Sequence, residues 1–112
     1  MYTPDCWVLV KIGYSTGEAF YKVLAGWSGS YLNGDSWRMN SGITTVEDDG
    51  DYWNFAGESG SVYRCHKAGN EMRASIAYIW YQLQERYGEK VSLVDVDEVI
   101  KGVSPIDRGT GL

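Results

Sequence analysis

The single histidine, His66, directly follows Cys65, and a second cysteine, Cys6, lies sixty positions earlier. A thiol and an imidazole can serve as nucleophile, general base or metal ligand near neutral pH. Their spacing works against all three uses. Neighbours on a strand project to opposite faces, so Cys65 and His66 do not converge on one reacting atom. No second histidine or CxxC pair completes a zinc set either. We therefore expect no metal, no cofactor and no enzymatic activity, and we read both thiols as free.

Serine and carboxylate chemistry meets the same test. Ser28-Gly29-Ser30 and Ser59-Gly60-Ser61 lack the strand-to-helix setting of a nucleophile elbow. Gly57-Glu58-Ser59-Gly60 lacks the lysine and helix start of a phosphate-binding loop. Glu47, Asp48, Asp49 and Asp51 crowd one turn tip, whereas glycosidase-like hydrolysis needs two acids facing each other across a cleft. Their pattern points to binding instead. From Met39 through Tyr63 the chain carries five acids and no Lys or Arg. Such a stretch is expected to project an uncompensated negative field that attracts a partner protein with a basic surface and speeds encounter at low salt.

Sixteen of the 112 residues are aromatic, five of them Trp, which is enough to fill a small core and leave some over. Trp7, Phe20, Trp53, Phe55 and Trp80 recur at core-like spacing. Trp27, Tyr31 and Trp37 surround a Gly- and Ser-rich loop, and with Glu47, Asp48, Asp49 and Asp51 they make up the expected partner-binding set. The alternative is a nucleotide-like small ligand stacked on Trp27 or Trp37, its polar edge or phosphate engaged by Arg38 and Asn40. Tyr78 and Tyr81 fall on the back of a predicted helix and mark a candidate homodimer interface.

The elements that must position these residues are short. Trp7–Ile12 reads as a strand with Val8, Val10 and Ile12 on one face and Trp7, Leu9 and Lys11 on the other. Ala19–Leu24 returns it as a hairpin. Ser36–Asn40 and Ile43–Glu47 read as one strand interrupted at Ser41-Gly42 by a bulge. Asp48-Asp49-Gly50-Asp51 is a tight turn into Tyr52–Phe55, and Gly57–Gly60 turns again into Ser61–His66. Met72, Ile76, Ile79, Trp80, Leu83 and Tyr87 share one face of a helix over about 70–87, capped by Asn70 and stopped by Gly88. Val91–Val94 suits a further strand or an extended crossing, and residues 95–101 a short helical turn. The expected fold is α+β, an antiparallel meander of about five strands covered by one long C-terminal helix. Residues 1–102 form one domain in this reading, followed by a flexible tail at 103–112.

Composition narrows the partners. With 44% hydrophobic and 22% charged residues the chain is ordinary globular material, and its net charge of −5 disfavours direct nucleic-acid binding and anionic membrane surfaces. No apolar run reaches spanning length and the first residues lack a signal-peptide pattern, so a cytoplasmic location is expected.

At Ser36-Trp37-Arg38-Met39-Asn40-Ser41-Gly42-Ile43 and again at Ser59-Gly60-Ser61-Val62-Tyr63, the chain resembles small accessory proteins of tailed bacteriophages, over roughly residues 7 to 90. What the resemblance implies is a context. Small acidic phage proteins often inhibit bacterial defence or host enzymes, some as nucleic-acid mimics and others by sequestering nucleotide signals. The expected function is thus a non-enzymatic, phage-type inhibitor acting in the host cytoplasm through an acidic and aromatic surface, with nucleotide-like ligand binding as the alternative.

Overall fold

A computed structural model describes residues 1–29 and 35–103 of the chain. Its central strand, β1 (Cys6–Gly13), is apolar at both parities, the pattern of a strand covered on both faces. Antiparallel neighbours β2 (Ala19–Trp27) and β7 (Val91–Val94) flank it, and β3 (Ser36–Met39) extends β2, giving the order β3-β2-β1-β7. A second antiparallel sheet holds β4 (Ile43–Asp49), β5 (Tyr52–Gly57) and β6 (Val62–His66) in sequence order.

Two cores follow from this alternation. Cys6, Val8, Val10 and Ile12 turn to one side with Leu24 and Val91, where Ile76 and Ile79 of helix α1 (Ala74–Tyr87) bury against them. Trp80, Leu83 and Tyr87 complete the helical stripe read from the sequence, while Met72, expected in it, precedes the helix and packs on the same core. Trp7 and Leu9 turn to the other side, packing with Phe55, Tyr63 and Cys65 of the second sheet and Val96 and Val99 of helix α2 (Val96–Val103). Trp7 is fully buried, its ring centroid 5.5 Å from that of Phe55, and its indole N–H donates to the His66 carbonyl at 2.8 Å. Burial of each such side chain contributes roughly 2–3 kcal/mol. The layers therefore run α1, four-stranded sheet, then three-stranded sheet with α2.

The α+β class and the antiparallel pairing agree with the sequence reading, but the count of five strands in one meander does not. Ser41-Gly42 is no bulge. There the chain leaves one sheet for the other, with Gly42 at φ 150°, so the expected single strand is two strands in different sheets. The bulge-like register shift lies further on, between Ile43 and Thr45. Helix α1 begins at Ala74, after Arg73 and without a side-chain cap, while Asn70 is used in a bridge to Trp7. Nor is there one long C-terminal helix alone, because β7 pairs with β1 and α2 seals the second core. Val103, placed in the expected tail, ends α2 and packs on that core; the rest of the tail, 104–112, lies outside the described residues.

Candidate functional site

The outer face of the second sheet is a three-by-three grid fixed by register. Its rows are Thr45, Ala56 and Val62; Glu47, Asn54 and Arg64; and Asp49, Tyr52 and His66. The Asn54 amide donates to Glu47 at 2.8 Å and to Asp49 at 3.4 Å. Arg64 reaches across β5 to bond Asp49, and its Cζ lies 4.0 Å from the Tyr52 ring centroid. The Tyr52 ring in turn meets His66 edge-on at 5.0 Å. Side chains locked this way present their polar atoms with little left to order on binding.

The expected uncompensated negative field is corrected by this geometry. Asp48 is paired with Lys67 at 2.7 Å and Asp49 with Arg64, cations that lie just beyond the acid-only stretch in sequence but one or two strands away in space. The Arg64 guanidinium holds the Asp49 carboxyl below the usual carboxylate range, through its hydrogen bond first and its charge second. Glu47, Asp48, Asp49 and Asp51 are all exposed, and among the described residues Glu47 and Asp51 have no ion-pair partner. Glu58, the fifth acid of the stretch, is exposed and likewise without an ion-pair partner among the described residues, so the residual acidity sits on these three carboxylates.

Trp27, Trp37, Arg38 and Asn40 do not all converge on one site: Trp27 and Arg38 meet at the Tyr2 ring, whereas Trp37 and Asn40 lie elsewhere. Trp37 and Arg38 alternate to opposite faces of β3. Trp37 pairs with Gly26 on the α1 side and is 42% exposed, whereas Arg38 crosses to the other side and sets its Cζ 4.5 Å from the ring centroid of Tyr2. Trp27 is half-buried and its indole N–H donates to the Thr3 carbonyl at 3.0 Å. Asn40 is buried, with Oδ1 accepting from the Val23 amide at 2.9 Å and Nδ2 without a partner among the described residues. The shared anchor surface of acids and loop aromatics also separates, because Trp37 lies on the α1 side and the acids lie on the second sheet. Tyr31 falls outside the described residues.

Chemistry at Cys65 and His66 meets the obstacle their adjacency implies. Cys65 is fully buried, which pushes its thiol far above the ordinary range, while exposed His66 accepts the Ala68 amide on Nδ1 at 3.0 Å. Cys6 is free in the other core, its Sγ 3.5 Å from Ser75 Oγ. Tyr78 and Tyr81 are 54% and 63% exposed on the back of α1.

Two features escaped sequence reasoning. Tyr14 and Phe20 meet edge-on at 5.3 Å beside the β1–β2 turn, and a cleft of about 310 Å³ next to them is lined by Lys11, Tyr14, Ser15, Glu89, Lys90 and Ser92. Aromatics flanking a turn were the only available signal, since Lys90 arrives from a distant segment. Among the described residues no helix is long and apolar enough to cross a membrane, and no group of three or more His, Cys, Asp or Glu could hold a metal. Comparison with known protein families, curated proteins and solved structures finds no match to this chain.

Proposed function

We propose that the chain is a non-enzymatic binding protein, a phage-type inhibitor of a bacterial defence or host protein, whose contact surface is the outer grid of β4, β5 and β6. The observation that carries this reading is that Glu47 and Asp49 lie on the outer face with Tyr52 and Arg64 held rigid between them and Asp51 at the adjoining turn, while exposed Asp48 leaves the same hairpin on the opposite face, in the row of Trp53. Electrostatics supplies orientation and encounter rate, and the pre-ordered aromatic and guanidinium supply contact area. A partner with a basic patch fits this surface. Affinity capture from bacterial lysate, run with the parent and with Lys at all four acidic positions, tests it: a basic partner retained by the parent is lost from the variant, and unchanged capture removes the electrostatic reading.

The alternative, a nucleotide-like ligand, is favoured by a different set from the loop aromatics. Lys90 shares the cleft with the exposed ring of Tyr14, alongside Glu89 and a Lys11 that is paired with Glu98 at 3.4 Å, so Lys90 is the group for a phosphate and Tyr14 the face for a base. Quenching of intrinsic fluorescence across a nucleotide panel, lost in Lys90→Glu, distinguishes it from the protein-binding reading. Tyr78 and Tyr81 fit a homodimer contact, for which Tyr78→Glu should abolish any concentration-dependent sedimentation of the parent.

A further inference from the structure

Helix α1 spends one stripe, Ile76, Ile79, Trp80, Leu83 and Tyr87, on the four-stranded sheet. At about 3.6 residues per turn the stripe directly opposite is Ala74, Tyr78, Tyr81 and Glu85. All four are exposed. Trp37 flanks this face near the first turn, because it pairs with Gly26, over which Ser75 and Ile76 pack. The stripe is also polarised from end to end. Glu85 is its one ionised side chain and has no ion-pair partner among the described residues. At the other end, the helix N-terminus has neither a side-chain cap nor an acid in its first turn. Arg73 and Glu71 stand there, but they pair with each other at 2.5 Å and so offset one another's charge. The partial positive charge of the first-turn amides is therefore left for a group from outside the helix.

We infer that α1 pairs with α1 of a second copy of this chain, antiparallel about a two-fold axis passing between Ile79 and Trp80, so that Glu85 of each copy caps the helix N-terminus of the other. The inference rests on the homodimer contact proposed for Tyr78 and Tyr81 and gives that contact a direction and a charge match. A two-fold axis makes residue i of one copy meet residue j of the other and j meet i. Centred there, it sets Tyr78 against Tyr81 and Ala74 against Glu85, a small side chain beside a long one and a positive helix end beside a carboxylate. A parallel pair would instead set Glu85 on Glu85 and bring the two positive helix ends together, and like charges in contact are costly. The face thus carries both halves of its own complement, which favours a second copy over an unrelated helix. One helix face per copy suits a weak dimer that forms with rising concentration, not an obligate one.

Sedimentation equilibrium of the full chain over a concentration series tests the pairing. The parent should associate reversibly to a dimer, and Glu85→Lys should weaken that association by about tenfold. Ala74→Glu separates the interface from the helix itself. Within one chain an acid in the first turn complements the helix dipole, so urea melts at monomeric concentration should show a raised midpoint. Its dimer should nonetheless weaken by about tenfold, because the new carboxylate meets Glu85 of the second copy. Combining Ala74→Glu with Glu85→Lys sets opposite charges face to face again and should restore association. A parent that stays monomeric throughout overturns the Tyr78 contact and the antiparallel pairing together. A dimer that Tyr78→Glu abolishes but that is indifferent to Glu85→Lys and Ala74→Glu, or is not restored by the double variant, overturns the pairing alone. Capture of a basic partner through the β4–β6 grid is a separate readout and should be unchanged in every one of these variants.

Discussion

The Lys67 ammonium lies 2.7 Å from the Asp48 carboxylate, and the same Nζ sits 4.4 Å from the Trp53 ring centroid. One cation thus serves both a charge and a π face at the rim of the acidic hairpin. Both members of the ion pair are well exposed, so Lys67→Gln should cost no more than about 1 kcal/mol in chemical denaturation. Its electrostatic effect is larger. With Asp48 released, the hairpin field becomes more negative, and a lysine-rich peptide titrated at low salt should bind more tightly than to the parent, with the gain vanishing at high salt. Weaker binding by the variant would place Lys67 itself in the contact.

Asp49 gives a pH dependence with a definite sign. Its carboxyl is held below the ordinary range in the folded protein by hydrogen bonding and charge from Arg64, with Asn54 adding a second hydrogen bond. A depressed folded value means the unfolded state binds the proton more readily, so this stabilisation is present above the unfolded value and lost as pH falls through the folded one. Urea midpoints should therefore fall from about pH 5 downward, and Asp49→Asn should flatten that part of the profile. An unchanged acid limb in the variant would mean that the Arg64 pair contributes nothing to stability in solution.

How far the sequence carried depended on whether a feature was local. Val8, Val10 and Ile12 alternate within one strand and the α1 stripe repeats within one helix, so both faces were legible from spacing alone. The break at Ser41-Gly42 was visible as well, but its meaning was not, because a bulge and a sheet-to-sheet crossing look alike until the partners are known. The acidic field failed for a related reason. Asp49 and Arg64 are fifteen residues apart and become neighbours only when β4 and β6 flank β5. Trp27 and Arg38 looked unassigned because Tyr2, which occupies both, comes from the first residues of the chain.

Gly26 marks how tightly α1 sits on the central sheet. A Cβ there would lie 2.7 Å from Ile76 Cγ2 and 3.0 Å from Cys6 Sγ, and closer still to Ser75 Oγ. Three neighbours in one core cannot all yield without moving the helix. Gly26→Ala should destabilise the protein by about 1–3 kcal/mol although alanine is otherwise benign in a strand. Adding Ser75→Gly should recover part of that loss, since it removes the nearest obstacle while leaving Ile76 and Cys6. Equal stability of parent and Gly26→Ala would show that the helix rides further from the sheet.

The thiols test the non-enzymatic reading from inside the fold. Cys65 is fully buried between the two sheets and burial pushes its thiol far up, so the nucleophilic thiolate is suppressed; Cys6 is enclosed beneath α1. An aromatic disulfide reagent should react with neither thiol in the native protein and with both once denaturant unfolds it, at the rate of global opening. Cys65→Ser places a hydroxyl among Trp7, Phe55 and Tyr63 without a designed partner, for an expected loss of about 1–3 kcal/mol. Cys65→Ala should cost less, because it removes volume and leaves no unsatisfied polar group. Rapid native labelling of Cys65 would instead reveal an accessible thiolate beside His66 and reopen the catalytic reading that burial argues against.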